Sequence, residues 1–297
     1  MRAVIVSGAN AAYYPLLEGL IGSIRATGGQ AVDLAVLDLG LTGHQRKDLK
    51  RDGVRIINPK WDCDLNTFAA RPDNFFKAMT SRPRLPDYLP EYDVVMWIDS
   101  DCWVQDWSAV SLFLEAAERT GFAAVPEIDR SYTPFMANGA ILEWVFSCFG
   151  RCFGREAAMR FGHYPLINSG VFAGRADAPH WRAWAEALDA ALAQLREPYF
   201  FSEQTALNFA IRAHGLPFAA LPARCNWVCG RSLPATTDGV TLCDPNPPHD
   251  GLGIVHLTAG TKNGLRPVVG IDGTMYHRSL RWNGHDPARV GADIRRD

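Results

Sequence analysis

The sequence predicts an α/β fold: a mixed, mostly parallel central sheet flanked by helices, in a single domain with two abutting lobes. Three observations carry that prediction. Residues 2–57 alternate strand, helix, strand, helix, strand, which is a parallel, doubly wound pattern. Residues 94–98, Val-Val-Met-Trp-Ile, form a short apolar run rich in β-branched and aromatic side chains, as in a central strand buried on both faces. Two carboxylates, Asp99 and Asp101, follow that run at once, where open α/β sheets bind their ligands.

Residues 2–6 read as the first strand, and Ser7-Gly8-Ala9-Asn10 as the tight loop after it. Tyr13, Leu16, Leu17, Leu20, Ile21 and Ile24 then recur at helical spacing until Gly28-Gly29. The loop carries neither G-x-G-x-x-G nor a phosphate-binding G-x-x-x-x-G-K-[ST], so neither site is supported. Residues 31–37 alternate as a second strand. Thr42-x-x-Gln45 is a capping-box pattern for a short helix closing at Gly53, and residues 54–57 are the third strand. From Trp61 to Pro90 the pattern breaks up, with Lys77, Arg82 and Arg84 spread among aromatics and prolines. Lys77 and Arg84 are candidates to reach an anionic ligand; ordinary charges on a solvated loop are the plainer reading.

Beyond the acidic pair, Ser108 is placed to cap a helix ending at Gly121, and residues 122–126 are a short strand. An apolar helical stretch falls near 141–149. Residues 166–174 read as a strand interrupted by Asn168-Ser169-Gly170; glycine weakens a strand unless something approaches it closely. Asp177 is placed to cap a helix whose buried face holds Trp181 and Trp184. Ser202-Glu203-Gln204 opens another, where a carboxylate also simply complements the helix dipole. Residues 253–257 form a last core strand, followed by Thr258-Ala259-Gly260-Thr261-Lys262. Residues 263–297 hold few apolar runs and read as an extension lying over the domain or partly mobile.

A net charge of −2 over 297 residues leaves no nucleic-acid footprint. No apolar run approaches the length needed to span a bilayer, and no cleavable signal pattern opens the chain. The expectation is a cytoplasmic protein, peripheral to a membrane at most. Seven scattered cysteines argue against a disulfide framework. Cys148/Cys152 and Cys225/Cys229 have a spacing zinc would tolerate, but their aromatic, apolar contexts favour buried free thiols.

An Asp-x-Asp at a strand end suits a hard divalent cation, Mn²⁺ or Mg²⁺, because carboxylate oxygens are the ligands such ions prefer. Asp99 and Asp101 alone would leave the ion largely hydrated, so further ligands and a phosphate are implied. His256, followed by a glycine loop and Lys262, can complete a metal–diphosphate site. A solvated acidic turn and a structural histidine are the plainer readings of the same residues.

Four motifs in order change the weighing. Tyr92-Asp93-Val94-Val95-Met96-Trp97-Ile98-Asp99-Ser100-Asp101 is followed by Asn168-Ser169-Gly170-Val171-Phe172. Glu203-Gln204 with Leu207-Asn208 comes next, and then His256-x-x-x-Gly260-x-Lys262. Together they resemble the GT-A glycosyltransferases, and most closely glycosyltransferase family 8, the group of glycogenin and the bacterial lipooligosaccharide galactosyltransferases. The resemblance covers roughly residues 1–262. It implies a GT-A, Rossmann-like domain over 1–262, with 1–105 as the nucleotide-binding half, 106–262 as the donor-sugar and acceptor half, and 263–297 as a C-terminal extension.

The resemblance also implies roles. Asp99, Asp101 and His256 would hold Mn²⁺ or Mg²⁺, and Lys262 and the Gly260 amide would contact the diphosphate of a nucleotide sugar, most often UDP-linked. Ser100 would lie near the ribose; Gly8, Asn10 and Tyr13 would flank the base; Asn168 and Gln204 would sit around the donor sugar. Family members retain anomeric configuration. Glu203 would be the nucleophile of a double displacement, or attack would come from the same face with no enzymic nucleophile. Three departures stand out: Glu203 where the family often has Asp, Asn263-Gly264 where it often has Pro-Trp, and no acidic residue in the first loop. Two other readings compete. A haloacid-dehalogenase-like phosphatase also uses Asp-x-Asp, but on its first strand; a catalytically inactive sugar-nucleotide-binding domain would keep the fold alone. The acceptor (a glycan, lipid-linked sugar, small molecule or protein) would meet residues 127–165, where Phe135, Trp144, Phe146 and Phe149 are candidates for stacking, and the C-terminal extension.

Overall fold

The computed structural model describes residues 1–132, 139–284 and Arg295–Arg296; Phe135 lies outside them. The strands of the main sheet are β1 (Ala3–Ala9), β2 (Asp33–Asp38), β3 (Arg55–Ile57), β4 (Val94–Ile98), β6 (Phe122–Pro126), β7 (Ile167–Arg175) and β8 (Ala219–Ala220). Three short strands, β5 (Cys102–Val104), β9 (Trp227–Val228) and β12 (Ile254–His256), form a second sheet. Between β9 and β12 in sequence, β10 (Ala235–Thr236) pairs with β11 (Leu242–Cys243); after β12, β13 (Arg266–Val269) forms a hairpin with β14 (Met275–Arg278). The helices are α1 (Tyr14–Ala26), α2 (Gly43–Arg51), α3 (Phe76–Ser81), α4 (Leu85–Tyr88), α5 (Trp107–Thr120), α6 (Ala140–Phe161), α7 (Pro179–Gln194) and α8 (Ser202–Ala213).

The main sheet runs β3-β2-β1-β4-β7-β6-β8, so the apolar run of β4 is its central strand. β1 to β4 are mutually parallel, and β7 enters antiparallel between β4 and β6. That reversal positions the site, because it brings the start of β7 to the end of β4. Side chains alternate across a strand. Val95 and Trp97 therefore join one core layer with Trp184 and Leu207 of α7 and α8, and Val94, Met96 and Ile98 join the other with α1 and α5. Trp181 and Trp184 are core residues, as their helical spacing predicts.

β7 also carries a bulge. Ala124 of β6 pairs with Phe172, but the next residue, Val125, pairs with Asn168. Residues 169–171 are left without a β6 partner, and the strand re-aims there. Asp99 N donates to Gly170 O across this point at 2.7 Å.

The predicted capping box of α2 is present: Gln45 N donates to Thr42 Oγ1 at 3.2 Å and Thr42 N to Gln45 Oε1 at 2.9 Å. Two predicted caps are corrected. Asp106, not Ser108, caps α5, its carboxylate accepting from Ser108 N at 2.9 Å; the shorter-reaching serine lies inside the first turn. Asp177 does not cap α7, because it is held by the neighbouring Arg175 and Ala178 takes the cap position. The helical stretch near 141–149 extends to Phe161, with a break at Gly154, whose φ of 81° is open to glycine.

All seven cysteines are free, and all but Cys63 are buried. Residues after 262 contribute to a core of their own with the body of the chain. Val268, Tyr276 and Leu280 pack with Trp103, Trp227 and Leu257. Trp103 Nε1 donates to Leu280 O at 2.8 Å, and Trp282 lies so near α1 that a Cβ on Gly22 would come within 2.4 Å of its ring. No helix among the described residues is long and apolar enough to cross a membrane.

Candidate active site

A cavity of about 430 Å³ opens past the carboxyl ends of β1 and β4. Gly8, Tyr13, Asp99, Ser100, Asp101, Asn168, Glu203, Gln204, His256 and Lys262, all candidates from sequence, line it. They come from six separate stretches of chain, which the fold alone brings together.

The acidic pair lies on the floor. Asp101 is 9% exposed; its Oδ1 is 3.5 Å from His256 Nε2, and Lys262 Nζ donates to Oδ2 at 2.8 Å. Burial works to raise the Asp101 carboxyl, but its hydrogen bond to His256 and the charges of His256 and Lys262 outweigh that and hold it at about 2. Asp99 Oδ2 is 3.9 Å from the same His256 nitrogen, and Asp99 Oδ1 accepts from Trp97 Nε1 at 2.7 Å and from Arg82. Thus both carboxylates turn an oxygen toward one imidazole nitrogen. The Cys102 thiol joins Asp101 and His256 within 4.8 Å, the one such group of potential ligands among the described residues. Burial pushes that thiol well up, so it stays protonated and is a poorer ligand for a hard cation than Asp99.

Glu203 lies under the pocket at 1% exposure. Its Oε2 accepts from Arg82 at 2.8 Å and from Ser169 Oγ at 3.0 Å, while Oε1 is buried with no hydrogen-bond partner. Burial pushes the carboxyl up to about 7, against the pull of Arg82. Arg82 forks between Asp99 and Glu203 and lies 4.7 Å over the Trp97 ring. Gln204 is more open, and its Oε1 accepts from Ser169 N at 3.2 Å. Asn208, one turn on in α8, pairs with the start of β7: Ile167 N donates to its Oδ1 at 2.7 Å, and its Nδ2 to Ile167 O at 2.9 Å.

The polar interruption in β7 has a steric reason. A Cβ on Gly170 would fall 2.4 Å from His256 Cε1 and 2.9 Å from Asp99 Oδ2, so only glycine leaves room there. Asn168 is heavily engaged. Its Oδ1 accepts from Gly170 N and Asn226 Nδ2, and its Nδ2 donates to Glu127.

Four candidates are placed elsewhere. Lys77 Nζ sits 5.3 Å over the Trp61 ring, and Arg84 is paired with Asp189 at 2.8 Å; neither lines the cavity. Of Lys77, Arg82 and Arg84, the one that does is Arg82, because the short turns between Phe76 and Tyr88 rotate that position inward. Asn10 acts on its own loop, its Oδ1 accepting from Ala12 N and Tyr13 N at 3.1 and 3.0 Å. The Gly260 carbonyl accepts from Arg266, and the residue stands outside the lining. The sequence reading also missed Glu127, Asn226 and Arg231. Arg231 pairs with Glu127 at 2.6 Å on the wall, and Asn226 Oδ1 is 2.9 Å from His256 Nδ1. No motif marks any of the three. At the mouth, Phe200 is 61% exposed and stacks parallel on Phe75, and Trp144 meets Phe201 edge to face.

No protein-family model and no curated protein matches the sequence. Solved structures do match. The galactosyltransferase LgtC, in complex with donor and acceptor sugar analogues, is similar over 98% of this chain and 96% of its own, at 13% identity and a TM-score of 0.58. The bifunctional glycosyltransferase WbbM is similar over 89% of this chain and 47% of its own, at 15% identity and a TM-score of 0.54. The glycosyltransferase GlyE of Streptococcus pneumoniae TIGR4 is similar over 88% and 55%, at 16% identity and a TM-score of 0.51. This chain therefore spans about half the length of the last two. At such identities it is architecture that is shared: the chain has the GT-A fold, in a form that resembles the family 8 glycosyltransferases.

Proposed function

We propose that the protein is a glycosyltransferase that moves a sugar from a nucleotide-diphosphate donor, with UDP-sugar as the expected class, to an acceptor hydroxyl. One observation carries the reading. Asp99, Asp101, His256 and Lys262, from three separate stretches, meet in the cavity at the end of the central strand. Asp99, Asp101 and His256 would hold Mn²⁺ or Mg²⁺: each carboxylate turns one oxygen to the His256 Nε2 nitrogen, at 3.9 and 3.5 Å, and these are ligand types such ions take. A divalent ion bound there supplies positive charge to the diphosphate as it leaves.

The chain's own residues supply the rest. Lys262, at the edge of the cavity, adds a cation where leaving-group charge develops, and a donor fixed before reaction costs no reorganisation. Tyr13 and Gly8 line the cavity, with the Lys262 ammonium 5.5 Å from the Tyr13 ring; they suit the base. Gln204, Ser169 and Asn168 also line the cavity and suit the sugar. Retention of configuration by same-face attack is the mechanism we favour. Glu203 would need to be ionised and free to act as nucleophile, but one oxygen is tied to Arg82 and Ser169 and burial keeps the carboxyl near neutrality. The alternative phosphatase would need its acidic pair on the first strand; here it follows β4.

The test is thermal. UDP is expected to raise the melting temperature more with Mn²⁺ than with EDTA, because a ligand stabilises the state it binds. Equal shifts would defeat the metal-bridged reading, and no shift with any nucleotide would defeat the donor class.

A further inference from the structure

We infer that Asn226 is a positioning residue that fixes which ring nitrogen of His256 faces the acidic pair. The hydrogen bonds allow one assignment. The Gly170 backbone N–H can only donate, and it reaches Asn168 Oδ1 at 2.8 Å. The Glu127 carboxylate, held by Arg231, accepts from Asn168 Nδ2 at 2.7 Å. Both ends of the Asn168 amide are thus set by partners whose own roles are fixed. Asn226 must then turn its nitrogen to Asn168 Oδ1, at 2.9 Å, and its oxygen to His256 Nδ1, at 2.9 Å. It follows that Nδ1 carries a proton.

Nε2 is the nitrogen that faces Asp101 Oδ1 at 3.5 Å and Asp99 Oδ2 at 3.9 Å. A neutral imidazole left alone beside two carboxylates would place its proton on Nε2, toward them. Once the imidazolium has lost one of its two protons, Asn226 opposes that choice, keeps the remaining proton on Nδ1 and leaves the Nε2 lone pair directed at the space the carboxylates share. An ordinary His–Asp pair has no need of such a device; a cation site does, because a ring nitrogen binds an ion through its lone pair. Asn226 is 0% exposed, so in the intact protein no solvent molecule competes for the bond. The relay Arg231–Glu127–Asn168–Asn226–His256 therefore ties the pocket wall to the ligand set. Its second half, the consequence for cation affinity, rests on the function proposed above.

Two measurements on the full chain test it. Long-range ¹H–¹⁵N NMR of the wild-type protein, at alkaline pH where the ring is neutral, is expected to show His256 protonated on Nδ1. Protonation on Nε2 overturns the inference, whatever the protein's activity. Titration with Mn²⁺ alone, followed by its EPR signal, is expected to weaken roughly 10–100-fold in Asn226→Ala, the range typical of lost outer partners. Asn226→Asp keeps an acceptor for the Nδ1 proton and is expected to stay closer to wild type than Asn226→Ala. Wild-type affinity in a folded Asn226→Ala variant overturns the positioning role. A wild-type protein that binds no Mn²⁺ defeats the functional reading instead, and the tautomer still decides this one.

Discussion

At the scale of single residues, the pocket floor is governed by Arg82, which serves a buried carboxylate, Glu203, and a half-buried one, Asp99. Removing one partner of a buried ion pair leaves charge uncompensated, at a cost of about 3–5 kcal/mol. Arg82→Leu strands Asp99 and, above about pH 7, where Glu203 is ionised, Glu203 as well, so a loss of about that order is expected in urea unfolding there. A variant as stable as wild type would show that the cluster relaxes without its cation. Glu203 gives a pH signature. The folded protein holds its proton up to about 7, whereas an unfolded glutamate releases it near 4.5. Between those values the native state binds more protons, so this group's contribution to stability falls as pH rises from about 4.5 to about 7. Glu203→Gln is expected to flatten that part of the stability–pH curve; an unchanged slope would place its origin elsewhere. Asp99, Asp101, His256 and Lys262 were legible in sequence because each stands at the end of an apolar run or in a glycine loop. Arg82 was visible only as one of three cations. Choosing it over Lys77 and Arg84 needed the phase of short helical turns, which hydrophobic spacing does not set at that length.

At the scale of elements, β7 explains itself once its neighbours are known. The polar Asn168-Ser169-Gly170 looked out of place in an apolar strand, and the sequence pattern pointed to a close approach. What approaches is His256 from β12 and Asp99 from the end of β4, 2.4 and 2.9 Å from where a Cβ on Gly170 would be. Gly170→Ala is therefore expected to weaken Mn²⁺-dependent UDP binding at least tenfold by calorimetry, by displacing one or both side chains. Wild-type affinity would mean that His256 and Asp99 are not used together. The helices were read well where apolar stripes are long, as in α1 and α7. Their caps were read less well, because Asp106 and Ser108 both suit the role and only the backbone path chooses. Asn226 carried no signal, since its meaning lies in Asn168 and His256, 58 and 30 residues away.

At the scale of the whole molecule, the alternation of residues 2–57 and the buried run of β4 were enough for the sheet, but the C-terminal segment was not legible. Val268, Tyr276 and Leu280 are isolated in sequence, and their burial depends on Trp103 and Trp227 lying beneath them. A chain ending at residue 262 is expected to melt well below the full-length protein, because it exposes that cluster to water. Equal melting temperatures would make the hairpin an appendage. The bulge in β7 has a consequence at this scale too. Phe172 and its neighbours keep one pairing frame with β6, and Ile167 and Asn168 keep another, three residues out of step. The half that belongs to the core and the half that faces the cavity are thus geared separately. Gly170 is held by His256 and Asp99, and Val171 by its pairing with Ile98, so Ser169 is the position in this stretch where a substitution can alter the cavity wall without turning Phe172 away from Trp184. Under the proposed function, that makes Ser169 the place to begin when altering donor choice.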